Sequence, residues 1–287
     1  MMASLLLLVI GGCSTFTGGD VSQSGIGGGG SSSNVGGVEI DFVENNPPSE
    51  MFKGTSYDFA FIFRNSQMHE VDDLKLKISG FDRGNVQGIP EQDSVGPISK
   101  FSEVAGPGLK IDYIYEGVVV DNFEKSFRLD PKIRYCYSQL SFRKEGICVP
   151  ATNNVCGDDI VVDKAVETNG VFDFKIQRVN AISGKIRIDF EMTNRGSGRV
   201  VDECFESEGF ASDFGAVIAR LGTQEGDCKP AGTEKYIFTN GKANMYCEFD
   251  RTGDDSYPSQ VYISAGSLYE QEKSLSITAL DPAFGVS

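Results

Sequence analysis

The residues of this chain that could do chemistry are few, and cysteine leads them. Seven cysteines occur among the 287 residues. Cys13 stands apart, directly behind an apolar run. The other six, Cys136, Cys148, Cys156, Cys204, Cys228 and Cys247, form an even set, which in an exported chain reads as three disulfides. Zinc is the other use for so many thiols, but no C-x2-C pair exists and the single histidine, His69, has no cysteine near it in sequence. No metal and no cofactor is expected. His69 lies in the polar stretch Ser66-Gln67-Met68-His69-Glu70, and the chain has no G-x-S-x-G, HExxH or phosphate-binding loop. Nucleophilic, zinc-hydrolase and nucleotide chemistry therefore have no residues to carry them. Two carboxylates brought together by the fold would suffice for a glycosidase, the one catalytic reading left open. The Asp-rich turns Gly157-Asp158-Asp159 and Asp250 to Asp255 could hold calcium, yet neither fits an EF-hand loop and Arg251 sits inside the second. Both read as solvated turns, and no catalytic residue is expected.

The elements that must position these residues are strands. Val38 to Phe42 alternates apolar and charged residues and stops at Asn45-Asn46-Pro47-Pro48. Tyr57, Phe59, Phe61 and Phe63 form an aromatic stripe at period two, more at home in a core than on a ligand platform. Asp73 to Ser79 repeats the alternation and ends at Gly80. From Gly84 to Gly108, glycines and prolines break any long element, so this stretch is either a crossover with one short strand or an exposed binding edge. If Lys132 to Leu140 and Ile147 to Val149 pair as a hairpin centred on Phe142, Cys136 faces Cys148 within disulfide reach. Cys228 and Cys247 flank a second hairpin signal, Asn240-Gly241, which leaves Cys156 for Cys204.

The chain also repeats itself. At an offset of 129, Ile186, Ile188, Phe190, Met192 and Asn194 fall on Tyr57, Phe59, Phe61, Phe63 and Asn65. At an offset of 128, Val261, Ile263, Ala265 and Leu268 fall on Ile133, Tyr135, Tyr137 and Leu140, and Ser264 and Ser276 take the places of Cys136 and Cys148. The second copy is thus expected to keep the hairpin and lack its staple. Two all-β units of this size match the strand count of immunoglobulin-like sandwiches. The expected fold is all-β, with tandem immunoglobulin-like β-sandwiches at 38–150 and 165–287 joined by a connector at 151–164.

Leu5-Leu6-Leu7-Leu8-Val9-Ile10 is too short to span a bilayer and reads as the core of a leader covering 1–12. Ile10-Gly11-Gly12-Cys13 resembles the lipobox of prokaryotic lipoproteins, a resemblance that implies a lipid on Cys13 and an anchor on the extracellular face of the membrane. Residues 13–37 follow as a Gly/Ser-rich linker, a flexible coil that would hold a domain roughly 25–30 Å from that anchor. With 41 acidic against 26 basic residues, the net charge of −15 disfavours nucleic acid and anionic lipid as partners.

Asp58 to Asn65 with Leu74 to Gly80, and Asp189 to Gly198 with Val200-Val201, resemble the strand-loop-strand pattern of CARDB-like adhesion modules. Taken with the leader, the spacer, the Asn-x-Pro-Pro turn and Tyr135-Cys136-Tyr137, the layout is similar to that of archaeal surface lipoproteins. The resemblance covers nearly the whole chain and brings no catalytic residue. The anchor, the spacer and the tandem sandwiches point to a lipid-anchored, non-catalytic surface protein that binds, adheres or acts as a scaffold, meeting surface proteins, glycans or further copies of itself. The alternative is a subunit of a surface filament or layer, assembled by donating an edge strand such as Val38 to Phe42.

Overall fold

A computed structural model describes residues 36–151, 156, 161–162, 165–205, 216–232 and 237–284. These form strands β1 (Val38–Phe42), β2 (Glu50–Phe52), β3 (Ser56–Asn65), β4 (Val71–Ser79), β5 (Val86–Gln87), β6 (Gln92–Ile98), β7 (Gly108–Val120), β8 (Phe127–Leu129), β9 (Lys132–Val149), β10 (Val166–Asn169), β11 (Phe172–Ile182), β12 (Lys185–Asn194), β13 (Arg199–Val201), β14 (Ala216–Leu221), β15 (Gln224–Glu225), β16 (Asp227–Pro230), β17 (Lys242–Asp250), β18 (Tyr257–Ser274) and β19 (Ile277–Leu280), with one 3-10 turn at Pro282–Phe284. The described fold is all-β. Lys, Asp and Glu alternating with Phe, Ile and Val along these runs give each strand one apolar face to bury, and the core takes it.

Two four-stranded sheets carry the same order, β1-β3-β7-β5 and β11-β12-β17-β16. The sequence repeat reappears here as topology. Phe59, Phe61 and Phe63 of β3 are buried, as are Ile186, Ile188, Phe190 and Met192 of β12, so the aromatic stripe is core. The matched asparagines do the same work. Asn65 Nδ2 donates to the His69 carbonyl while its Oδ1 accepts from the Gln67 N–H. Asn194 Nδ2 donates to the Gly198 carbonyl while its Oδ1 accepts from the Gly196 N–H. Each amide satisfies a turn that would otherwise leave polar backbone unpaired.

The third sheet joins the two halves. Its path is β15-β14-β18-β9-β4-β6, with β10 on β9 and β13 on β18. At its centre β9 and β18 pair antiparallel along their whole length, from Tyr257 opposite Val149 to Ser274 opposite Lys132. The expected hairpin centred on Phe142 is not there. A tight turn needs residues that tolerate left-handed backbone, which Phe142-Arg143 does not supply, and an unbroken β9 pairs along all of β18 instead. The sheet therefore continues across the expected boundary between halves.

That change of partner rewrites two disulfides. Cys136 and Cys148 sit on one extended strand, on the order of 40 Å apart, and are not bonded to each other. Cys136 bonds Cys204, and Cys148 bonds Cys156, so the expected Cys136–Cys148 and Cys156–Cys204 pairs are both replaced. Cys228–Cys247 is present as expected, joining residues that face each other across β16 and β17. The facing-residue rule holds for that pair, whereas Cys204 and Cys156 lie outside strands and reach Cys136 and Cys148 from neighbouring loop segments.

The halves also complete each other. Lys273 of β18 donates to the Ile40 carbonyl and to Asp41 of β1, at 2.6 and 2.7 Å. Burial would raise the Asp41 carboxyl, but Lys273 and Arg64 outweigh it and hold the pKa below its ordinary value. Reciprocally, Ser141 of β9 accepts from the Phe172 N–H of β11. Gly170, just before β11, has φ +102°, and a Cβ there would lie 2.1 Å from Ser141 Oγ, so only glycine lets the two strands approach. Finally β19 leaves the second half and inserts between β2 and β8 of the first.

Between Gly84 and Gly108 the chain forms β5 and β6, and β6 is an edge of the large sheet. The stretch thus crosses from one sheet to another, with two strands in place of the single short one expected. The strand considered for donation, β1, is paired with β3 of its own chain.

Candidate binding site

The outer face of the large sheet is read off its register. Odd-numbered residues of β9 and β18 point into the core, with Ile133, Tyr135, Tyr137, Val261, Ile263 and Ala265 all buried. Even-numbered residues face outward. Arg220 lies opposite Tyr262, Tyr262 opposite Lys144, and Lys144 opposite Glu167, while Glu225 lies opposite Arg220. Five neighbouring strands thus set out one row, Glu225, Arg220, Tyr262, Lys144 and Glu167.

A shallow open cavity of about 270 Å³ lies on this row, lined by Lys144, Arg220, Gly222, Gln260 and Tyr262. Tyr262 is half-buried and its ring stacks on Phe142, the diagonal neighbour on β9, with centroids 6.0 Å apart and planes at 26°. The ring is therefore held as a platform. Lys144 and Arg220 are two strand spacings apart, roughly 9–10 Å, on either side of it. Their charge partners are distant and exposed, with Lys144 to Glu167 at 3.5 Å and Arg220 to Glu225 at 3.7 Å. Such pairs contribute about 0–1 kcal/mol, so they hold the two cations only loosely. Gly222 closes the rim, its N–H donating to the Gln260 carbonyl.

The matching place in the first half is closed. There Arg134 holds the position of Tyr262, Lys77 that of Arg220 and Glu272 that of Lys144. Arg134 bonds the buried Glu270, which also takes Arg199 and the Phe205 N–H. The Phe205 ring lies 5.6 Å from the Arg134 guanidinium, and Cys204 beside it is bonded to Cys136. One copy of the row is open, and its counterpart is under a disulfide-pinned cap.

No protein-family model and no curated protein matches the chain. Among solved structures it is similar to the secreted serine protease VesC from Vibrio cholerae, with 8% identity and a TM-score of 0.21, over 84% of this chain and 51% of that one. The chain spans about half the length of that protease, and so faint a likeness carries no argument about fold or activity.

The residues singled out by sequence fall mostly away from the open cavity. Cys13 and the Gly157-Asp158-Asp159 turn lie outside the described residues. All six remaining cysteines are in disulfides. His69 packs against the first half, its Nε2 3.4 Å from the Ser138 carbonyl, and burial lowers its pKa although Ser138 and Asp72 push the other way. In the second Asp-rich turn Asp250 pairs with Lys185 at 3.1 Å and the Asp254 carbonyl accepts from Arg251. Among the described residues no cluster of three or more His, Cys, Asp or Glu is placed to hold a metal. Sequence reasoning missed Lys144, Arg220 and Tyr262, because the β9–β18 register that aligns them was hidden behind the expected hairpin. The signal that could have found Tyr262 is its place between the buried Val261 and Ile263, which turns an aromatic side chain to the outward face.

Proposed function

We propose that this chain is a lipid-anchored, non-catalytic binding protein of the extracellular membrane face, built as two tandem immunoglobulin-like sandwiches fused through one sheet. The observation that carries the reading is the pairing of Cys136, Cys148, Cys156, Cys204, Cys228 and Cys247 in three disulfides, which belong to an oxidising compartment. The leader-like run, Cys13 and the Gly/Ser spacer support a tether. The open cavity supports binding over catalysis, since neither a carboxylate nor a histidine lines it. Assembly by donation of Val38 to Phe42 has no comparable support, as that strand is satisfied within the chain.

The test is intact mass of the membrane-extracted protein with and without reduction. The expected result is a chain that starts at a diacylglyceryl-modified Cys13 and carries no free thiol. An unmodified N-terminus with six or seven free thiols would place the protein in a reducing interior and end this reading.

A further inference from the structure

We infer that the Lys144–Tyr262–Arg220 row is a subsite for a short acidic glycan, with a sugar ring against Tyr262 and carboxylates on the flanking cations. This deepens the surface-binding reading and rests on it. Three features of the row point to this ligand class.

The first is the platform. A half-buried tyrosine, kept in plane by Phe142, offers an apolar face of the size of one sugar ring in a cavity of about 270 Å³. The C–H face of a pyranose packs on such a ring, and its hydroxyls can bond with Gln260 and the guanidinium of Arg220. The second is the charge. In a chain of net charge −15 this cavity presents a lysine and an arginine and no acid in its lining. The carboxylates of Glu167 and Glu225 already lie on the outer sides of Lys144 and Arg220, and a ligand carboxylate would take up the inner sides. The third is the shape. The lining holds no aliphatic side chain and no deep apolar slot, so an acidic peptide would find charge but nowhere to anchor a side chain.

The chain's overall charge narrows the ligand further. A long polyanion would be repelled by the whole molecule, so the fit is to an oligosaccharide with one or two carboxylates rather than a densely charged polymer.

The test uses the detergent-extracted full-length chain and measures binding of digalacturonate by titration calorimetry, beside maltose, inorganic phosphate and a diglutamate peptide. The expected result is saturable digalacturonate binding at 0.05 M salt that weakens about tenfold in Tyr262→Ala and in Arg220→Gln, while Tyr262→Phe binds as the parent does. Arg220 is exposed, so its variant folds even if Tyr262→Ala does not. Three results would overturn the proposal: no digalacturonate binding at about 10 mM, equal binding of phosphate or the peptide, which would mean charge alone, or equal binding of maltose. The mass measurement on Cys13 is independent of all three. A lipidated, thiol-free chain that ignores digalacturonate loses this ligand and keeps the surface reading, and an unlipidated chain that binds it does the reverse.

Discussion

The first and second halves of this protein start from the same pattern and end with different surfaces. In the first, β4 is one strand of nine residues that pairs β9 on one side and β6 on the other. In the second, the equivalent path is broken into β13 and β14, with Cys204 and Phe205 following β13. Just past β13, Phe205 lies over Arg134 of the first half and bonds Glu270 of β18, and Cys204 is anchored to Cys136 of the first half. Cys204 and Phe205 of the second copy thus cap the outer row of the first, whereas the second copy's own row carries the open cavity at Tyr262. The difference teaches that a duplicated sheet face can be specialised by changing the neighbour's loop while its own strands stay as they were.

The strongest way to break this comparison is to cut the staples. A disulfide stabilises mainly by restricting the unfolded chain, more so for longer closed loops. The sequence separations are 68 for Cys136–Cys204, 19 for Cys228–Cys247 and 8 for Cys148–Cys156. Replacing each pair by alanines should cost about 4, about 3 and about 2.5 kcal/mol in that order, read from urea unfolding. If the inter-half pair proves the cheapest to remove, the shared sheet alone holds the halves together and the cap is incidental.

The same contrast explains what was legible in the sequence. Strands β1, β3, β4 and β12 were marked by alternation, because each buries one face and exposes the other. The repeat was visible at Asn65 and Asn194, where a polar residue ends an apolar run and must satisfy a turn. The disulfides were two-thirds misassigned because alternation tells which face a residue takes and is silent on which strand lies opposite. Ser141 to Gly146 reads equally well as a turn flanked by strands or as the middle of one long strand, and only the second-half partner decides. The open row could not be found for the same reason, since Lys144, Tyr262 and Arg220 meet only through that register.

A smaller effect separates the two asparagines. Asn65 is fully buried and its amide donates to the carbonyls of His69 and Ser99 at 2.9 and 3.0 Å. Asn194 is half-buried and its carbonyl oxygen also accepts from the Tyr269 hydroxyl at 2.9 Å, a phenol whose pKa burial pushes up to about 12 and which therefore stays a donor. Removing a buried partner leaves its neighbours desolvated and unpaired, whereas water can reach a half-exposed turn. Asn65→Ala should cost about 2–3 kcal/mol and Asn194→Ala about 1–1.5 kcal/mol in denaturant unfolding. Equal costs would mean that the two turns are equally closed to water.

The smallest effect is one of pH, and only the first half can show it. His69 occupies the turn position that Gly198 holds in the second copy, and both supply the carbonyl that the asparagine grips. Burial favours the neutral imidazole and lowers its pKa below 6.5, with the Ser138 carbonyl and Asp72 opposing. The unfolded chain accordingly binds a proton more readily than the folded one. His69's contribution to stability is complete above pH 6.5 and is lost as the pH falls through the lowered value. Asp41 is also depressed, but from an ordinary value of 3.8, so its loss comes at lower pH. Between pH 6.5 and 5 the parent's melting temperature should fall about 1–2 °C further than that of His69→Gln, which keeps the backbone carbonyl and cannot ionise. Matching slopes for the two proteins across that window would show that the imidazole is as well hydrated in the fold as out of it. The turn would then depend on Asn65 alone, as its counterpart depends on Asn194.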